Sequence, residues 1–214
     1  MHPYSVKLIN DGVDIEELDR NMQFPMEDIS DSDYWIYKNY GENNILLLSV
    51  IRLDFQKNPI LLLKISNALV NLMSNVRVFI IGDGELYKEC ENYLKKTKAR
   101  NIYLLGYKKN YLSYLLRANF VLFTSYNEGL PLVLLQAMYY KKPIITSYFR
   151  GVEELVDRRS GLIFHEQDVS INAQNIKSYI EASPQIEDRS KIIKEYYSVD
   201  RMLAKYNSLF KELV

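Results

Sequence analysis

The sequence predicts an α/β fold, a single Rossmann-like domain with a parallel sheet and a helical C-terminus. Three observations predict it. Apolar runs of strand length alternate with amphipathic segments of helix length, the order that βα units produce. The strand runs are continuously apolar rather than alternating, as they are when helices cover both sheet faces. The stretch from Asn127 to Met138 reads as a turn that opens a helix directly after such a run.

The elements follow in order. Residues 1–44 are expected to form a leading segment and interdomain loop, with Pro25 to Asn44 polar, acidic, aromatic and without a period. Residues 45–182 carry the Rossmann-like domain, with strands predicted at Ile45 to Val50, Val76 to Ile81, Ile102 to Leu105, Phe120 to Thr124, Pro143 to Thr146 and Leu162 to Phe164. Helices are predicted near Pro59 to Met73, Glu85 to Lys96, Asn110 to Arg117, Pro131 to Tyr140 and Val152 to Val156. Residues 183–214 are read as C-terminal helices. There, Met202, Leu203, Tyr206, Leu209, Phe210 and Leu213 recur with a 3.6-residue period.

Composition narrows the partners. Lys plus Arg and Asp plus Glu each number 27 in 214 residues, so no net field favours nucleic acid or an anionic membrane. The single cysteine, Cys90, permits no disulfide within the chain and fits a reducing compartment. Neither a signal peptide nor an apolar run of roughly 18 residues is visible, so a cytoplasmic location is expected. His2 and His165 stand alone, so no metal cluster is expected. Eighteen tyrosines reflect either half-buried positions or an aromatic surface built from Tyr107, Tyr111, Tyr114, Tyr139 and Tyr140.

The chemistry concentrates at Asn127-Glu128-Gly129-Leu130-Pro131-Leu132. Proline suits the first helical position, and the amides around Gly129 to Leu132 would then face an anion at the helix N-terminus. Glu128 beside them is a poor phosphate ligand but a good acceptor for sugar hydroxyls. An anion site next to a hydroxyl acceptor points to a sugar phosphate or a nucleotide sugar. Arg52 and Lys57 lie after the first strand, ahead of a helix opened by Asn58-Pro59. Two cations at the carboxyl edge of a parallel sheet can close on a diphosphate. Gly82-Asp83-Gly84 follows the next strand, and is either a ligand approach or a plain tight turn.

These residues resemble the signature of retaining GT-B glycosyltransferases of family 4 (group 1), in which two glutamates stand seven residues apart in a pattern like E-G-x-P-x-x-x-x-E-A-M. Glu128 matches the first acid, and Gln136 replaces the second. Other matches fall in family order: Asn10 to Asp14, Arg52-Leu53 with Lys57, Gly82 to Gly84, Leu105-Gly106, Lys142 to Ser147, Gly151 to Val156 and Ser160 to Phe164. Arg150 and Lys141 stand where the family has glycines. A lysine kept in a left-handed conformation at that helix end costs about 1 kcal/mol.

The resemblance implies the second, donor-binding half of a GT-B fold, with roughly 150–200 residues of acceptor domain lying N-terminal to it. It implies a nucleotide-sugar donor, UDP first, and a glycan or lipid-linked acceptor of polysaccharide biosynthesis, reached at the periphery of the inner membrane face. Arg52 and Lys57 would hold the diphosphate without metal or other cofactor, and Glu128 would orient the sugar. Gly82, Gly106, Tyr107, Gly129, Leu130, Pro131, Leu132 and Gln136 would complete the donor site, Gln136 as a weakened ribose acceptor. A separate acceptor-domain polypeptide, or self-association through the C-terminal helix, would complete the enzyme. The alternatives are a degenerate domain, marked by Gln136, Lys141 and Arg150, that partners or regulates a full transferase, and a sugar-nucleotide epimerase of the same architecture.

Overall fold

The computed structural model describes residues 7–23, 44–165 and 168–213. The elements in chain order are α1 (Ile15–Gln23), β1 (Ile45–Val50), α2 (Pro59–Leu72), β2 (Val76–Ile81), α3 (Tyr87–Thr97), β3 (Ile102–Gly106), α4 (Tyr111–Arg117) and β4 (Phe120–Phe123). They continue with α5 (Leu132–Tyr139), β5 (Ile144–Ser147), α6 (Val152–Leu155), β6 (Gly161–Phe164), α7 (Val169–Glu181), α8 (Ser190–Tyr197) and α9 (Val199–Leu213). The loop expected over Pro25 to Asn44 lies outside the described residues except at Asn44.

One parallel six-stranded sheet runs β3-β2-β1-β4-β5-β6. Its order reverses direction between β1 and β4, the place where open α/β sheets leave a crevice at the carboxyl ends. Burial on both faces accounts for the apolar runs: all four residues of β4 and of β5 are buried, as are the four central residues of β1. Helix α7 packs on α2 over one face, while α4 and α5 meet α1 and α8 over the other. Cys90 is a buried core residue whose thiol is pushed up to about 11, by burial first and then by the neighbouring Glu89 charge.

Helix α1 is an element the sequence reading did not anticipate. Its start is capped, since the Asp14 carboxylate accepts from the Glu17 amide at 3.0 Å, and Leu18 is fully buried. The segment before it is tied to the C-terminal region: the Val13 amide donates to the Tyr197 carbonyl at 2.7 Å, and the Val199 amide donates back to Val13 at 3.0 Å. A side chain at Gly12 would meet the Val199 nitrogen at 2.5 Å, so only glycine lets the two strands of chain approach.

Two local expectations are settled here. Lys141 does adopt φ +54° at the end of α5. Its amide donates to Met138 at 3.1 Å and the Lys142 amide to Ala137 at 2.8 Å, the paired bonds of a Schellman ending. Of the five tyrosines considered for an aromatic surface, Tyr114, Tyr139 and Tyr140 are buried in the core, which corrects that reading for them. On α9, by contrast, Leu203, Tyr206 and Phe210 are exposed, so the apolar stripe is left without a covering layer among the described residues.

Candidate active site

The crevice at the β1/β4 switch holds a cavity of about 440 Å³. Arg52 and Lys57 from the β1–α2 loop line it, together with Gly82 after β2 and Tyr107 after β3. Glu128, Pro131 and Leu132 close it from the β4–α5 loop. Seven of the residues singled out in the sequence therefore meet at one place. Gly106, Gly129, Leu130 and Gln136 fall outside the lining. Arg150 is exposed and lies outside it as well.

Lys57 and Glu128, 71 residues apart in sequence, form the centre of the site: the ammonium donates to both carboxylate oxygens, at 2.6 and 2.5 Å. The Glu128 side chain keeps only 8% of its exposure, so this pair is partly withdrawn from water and strengthened by it. Ser125 Oγ donates to the same carboxylate at 2.6 Å. Asp54 governs the other cation. Its carboxylate is ion-paired with the Arg52 guanidinium and accepts from the Lys57 amide at 3.0 Å. Burial would raise the Asp54 carboxyl. The Arg52 and Lys57 hydrogen bonds and charges outweigh that and hold it below its ordinary value.

The turn after β2 explains how Arg52 is placed. A side chain at Gly82 (φ +144°) would come within 1.8 Å of the Ile51 carbonyl. That glycine allows the turn to lie flat on the β1–α2 loop, where the Leu53 amide donates to the Asp83 carbonyl at 2.9 Å and the Leu86 amide donates to Leu53 at 2.9 Å. Gly82 thus approaches its own protein backbone, and the loop bearing Arg52 is held from behind.

Two details of the α5 end depart from the sequence reading. Pro131 is not the first helical residue. It is the N-cap, in extended conformation, and its carbonyl accepts from the Leu134 amide at 2.9 Å. The proline ring disfavours a helical conformation for Leu130, and Pro131 itself is extended, so the helix starts at Leu132. Gln136 is buried below the cavity, where its side-chain oxygen accepts from the Tyr111 hydroxyl at 3.0 Å. Burial raises the Tyr111 phenol, and the bond to Gln136 only partly offsets it. Asp54, Asp83, Lys108 and Tyr111 were not singled out as donor-site residues by the sequence reading. The Asp-x-x-Lys spacing of a capped turn was the available signal for Asp54.

A parallel open sheet with a charged crevice at its switch point defines a nucleotide-binding class of fold. The comparisons give the family. Residues 36–199 match the profile of the glycosyl transferases group 1. The chain belongs to that family, and it is a transferase domain of the GT-B kind.

Among its relatives, a Campylobacter jejuni α-1,4-N-acetyl-D-galactosaminyltransferase, acting on a GalNAc-containing diphosphoundecaprenol, is 34% identical over 62% of this chain and 37% of its own length. An Escherichia coli UDP-Gal:α-D-GlcNAc-diphosphoundecaprenol α-1,3-galactosyltransferase is 26% identical over 99% of this chain and 55% of its own. The crystal structure of Anabaena HepE in complex with UDP superposes with a TM-score of 0.75 at 20% identity, covering 96% of this chain and 57% of that one. The chain therefore spans roughly a third to just over half the length of these relatives.

Proposed function

We propose that this chain is the donor-binding half of a retaining, family 4 glycosyltransferase. In this reading it takes a nucleotide sugar, UDP-linked first, and passes the sugar to a glycan or lipid-linked acceptor. The observation that carries the reading is the Lys57–Glu128 pair inside the switch-point cavity. An ammonium there neutralises a diphosphate, and a carboxylate there accepts from sugar hydroxyls. When the donor enters, its diphosphate takes Lys57, and Arg52 turns from Asp54 to join it. Glu128, no longer engaged by the ammonium, then receives the hydroxyls of the sugar.

In the transfer step the bond from the anomeric carbon to the diphosphate oxygen breaks, and its electron pair leaves with the diphosphate. The acceptor hydroxyl oxygen bonds to the anomeric carbon on the same face, and its proton passes to the departing phosphate oxygen. Lys57, Arg52 and the first amides of α5 stabilise the charge that develops there. Two side-chain cations suffice for that task, so the reading requires no metal ion. Tyr107, which lines the cavity and is 74% exposed, would contact the base.

The second reading, a degenerate partner domain, has the departures Gln136, Lys141 and Arg150 in its favour. None of them lies in the cavity lining, and Lys141 is accommodated by its turn. The acceptor half is proposed to lie on other residues or another polypeptide. The exposed stripe of α9 is the surface proposed to receive it, and the inner membrane face the place where lipid-linked acceptors are met.

Calorimetry with UDP and GDP tests the donor site. The chain should bind UDP weakly and transfer no sugar alone, because in this reading the acceptor wall of the cleft lies on other residues or another polypeptide. Lys57→Ala should weaken UDP binding about 10- to 100-fold, since a charge-assisted hydrogen bond contributes about 1.5–3 kcal/mol. Unchanged affinity in that variant, or robust transfer by the monomeric chain, would overturn the reading.

A further inference from the structure

A second hollow, of about 740 Å³, opens at the same carboxyl edge on the α2–α7 side of the β1–α2 loop. Its size lies within the about 300–1,000 Å³ of small-molecule sites. Four aromatic side chains from four separate loops converge on it. Phe55 and Tyr126 pair at 5.3 Å between ring centroids, and Tyr148 stacks on His165 at 4.8 Å with 24° between planes. Phe55 is 73% exposed, Tyr126 56% and Tyr148 43%. Large rings left this open, on loops next to a substrate cavity, mark a contact surface for a ligand.

We propose that this groove binds a neutral saccharide, a sugar unit of the acceptor. The proposal that the sugar belongs to the acceptor rests on the transferase reading above. Three features select the ligand. Aromatic faces carry negative quadrupole charge and pack against the C–H face of a pyranose ring.

The hydroxyls between the rings are the second feature. Thr124 Oγ1 donates to the Lys57 and Asn58 carbonyls at 3.1 and 3.0 Å, and Ser147 Oγ donates to Ser125 at 2.8 Å. Their hydrogens are engaged by the protein and their lone pairs remain. Such a floor accepts hydrogen bonds from sugar hydroxyls. The third feature is charge: the rim carries Lys64 and Glu89, one of each sign, so its side chains carry no net charge to demand an ionised ligand.

Continuity with the donor cavity places this sugar in the reaction. Ser125 lines the aromatic groove, yet its hydroxyl donates to Glu128 in the donor cavity. The wall between the two hollows is the β1–α2 loop, pinned by Gln56, whose carbonyl accepts from Tyr126 at 2.9 Å and whose amide donates to the Asn127 carbonyl at 2.8 Å. A saccharide in the groove would lie one side chain away from the carboxylate proposed to hold the donor sugar.

Saturation-transfer NMR with neutral di- and trisaccharides of hexose and N-acetylhexosamine tests the proposal on the 214-residue chain, with UDP calorimetry run on the same samples. Saccharide signals are expected with the unaltered protein. In Phe55→Ala and Tyr148→Ala they should fall at least fivefold, and Phe55→Trp should restore them, while UDP affinity stays within twofold. UDP binding without saccharide binding, or saccharide binding indifferent to both alanine substitutions, would overturn the groove and leave the donor site standing. Ring-dependent saccharide binding without UDP binding would leave the groove standing and remove the donor reading. Dimerisation abolished by Phe55→Ala, with no saccharide bound, would make the groove a protein contact and overturn the proposal.

Discussion

On one side of the β1–α2 loop, the carboxyl edge holds a salt bridge inside a cavity of about 440 Å³; on the other, four aromatic rings surround about 740 Å³. Both hollows use the same architectural resource, the loop ends of a parallel sheet, and they differ in what those loops carry. The donor side gathers charge: Arg52, Asp54, Lys57 and Glu128 balance one another until a diphosphate competes for the cations. The aromatic side gathers apolar faces and hydroxyl lone pairs. In the proposed reading a nucleotide sugar and a neutral saccharide are the two substrates of one transfer, and the two sets of loop residues suit them separately. One strip of backbone from Leu53 to Asn58 divides the two.

Substitutions that act on one side of that strip break or sharpen the contrast. The largest effect is expected from Gly82→Ala. The new Cβ would stand 1.8 Å from the Ile51 carbonyl at a left-handed φ, so the β1–α2 loop must move. Strain and displacement together should lower stability by about 2–4 kcal/mol in a denaturant titration and abolish measurable UDP binding. If UDP affinity survives, the loop does not need its backing and the account of Arg52 placement is wrong.

A smaller and opposite effect is expected from Asp54→Asn. The amide keeps an acceptor for the Lys57 amide but loses the charge that holds Arg52, so UDP affinity should rise about two- to fivefold, the scale of an exposed ion pair. The folded Asp54 carboxyl titrates below its ordinary value of 3.8. The charge is therefore present throughout the neutral range, and the difference between the variants closes only as pH falls below that value. A drop in affinity would show that Asp54 positions Arg52 for the ligand rather than competing for it.

Much of this was legible in the sequence, and the reasons are physical. The six strands announce themselves because both faces of the sheet are covered and apolar residues dominate each run, with Ser49, Arg77, Thr146 and Ser147 as exceptions. Helix α1 did not, because Ile15, Leu18 and Met22 are its few apolar residues among charged ones. Its signals were the i, i+3, i+7 spacing of those three residues and the Asp14 and Glu17 cap spacing. The site residues were legible singly, through motif and spacing. The Lys57–Glu128 pairing was not, since no local pattern couples residues 71 apart. Nor was the burial of Gln136 beneath Tyr111, or the meeting of Phe55, Tyr126, Tyr148 and His165, because each ring sits in a different loop and only the topology collects them.

The central claim is that Lys57 leaves Glu128 for the donor diphosphate. A crystal structure of the chain with UDP measures this directly. The account predicts the Lys57 ammonium within about 3 Å of a diphosphate oxygen, the ordinary hydrogen-bond distance. It also predicts Arg52 turned away from Asp54, and the Glu128 carboxylate retaining Ser125 and facing the empty sugar position. UDP bound elsewhere, or bound in the cavity with the Lys57–Glu128 pair intact, would contradict it.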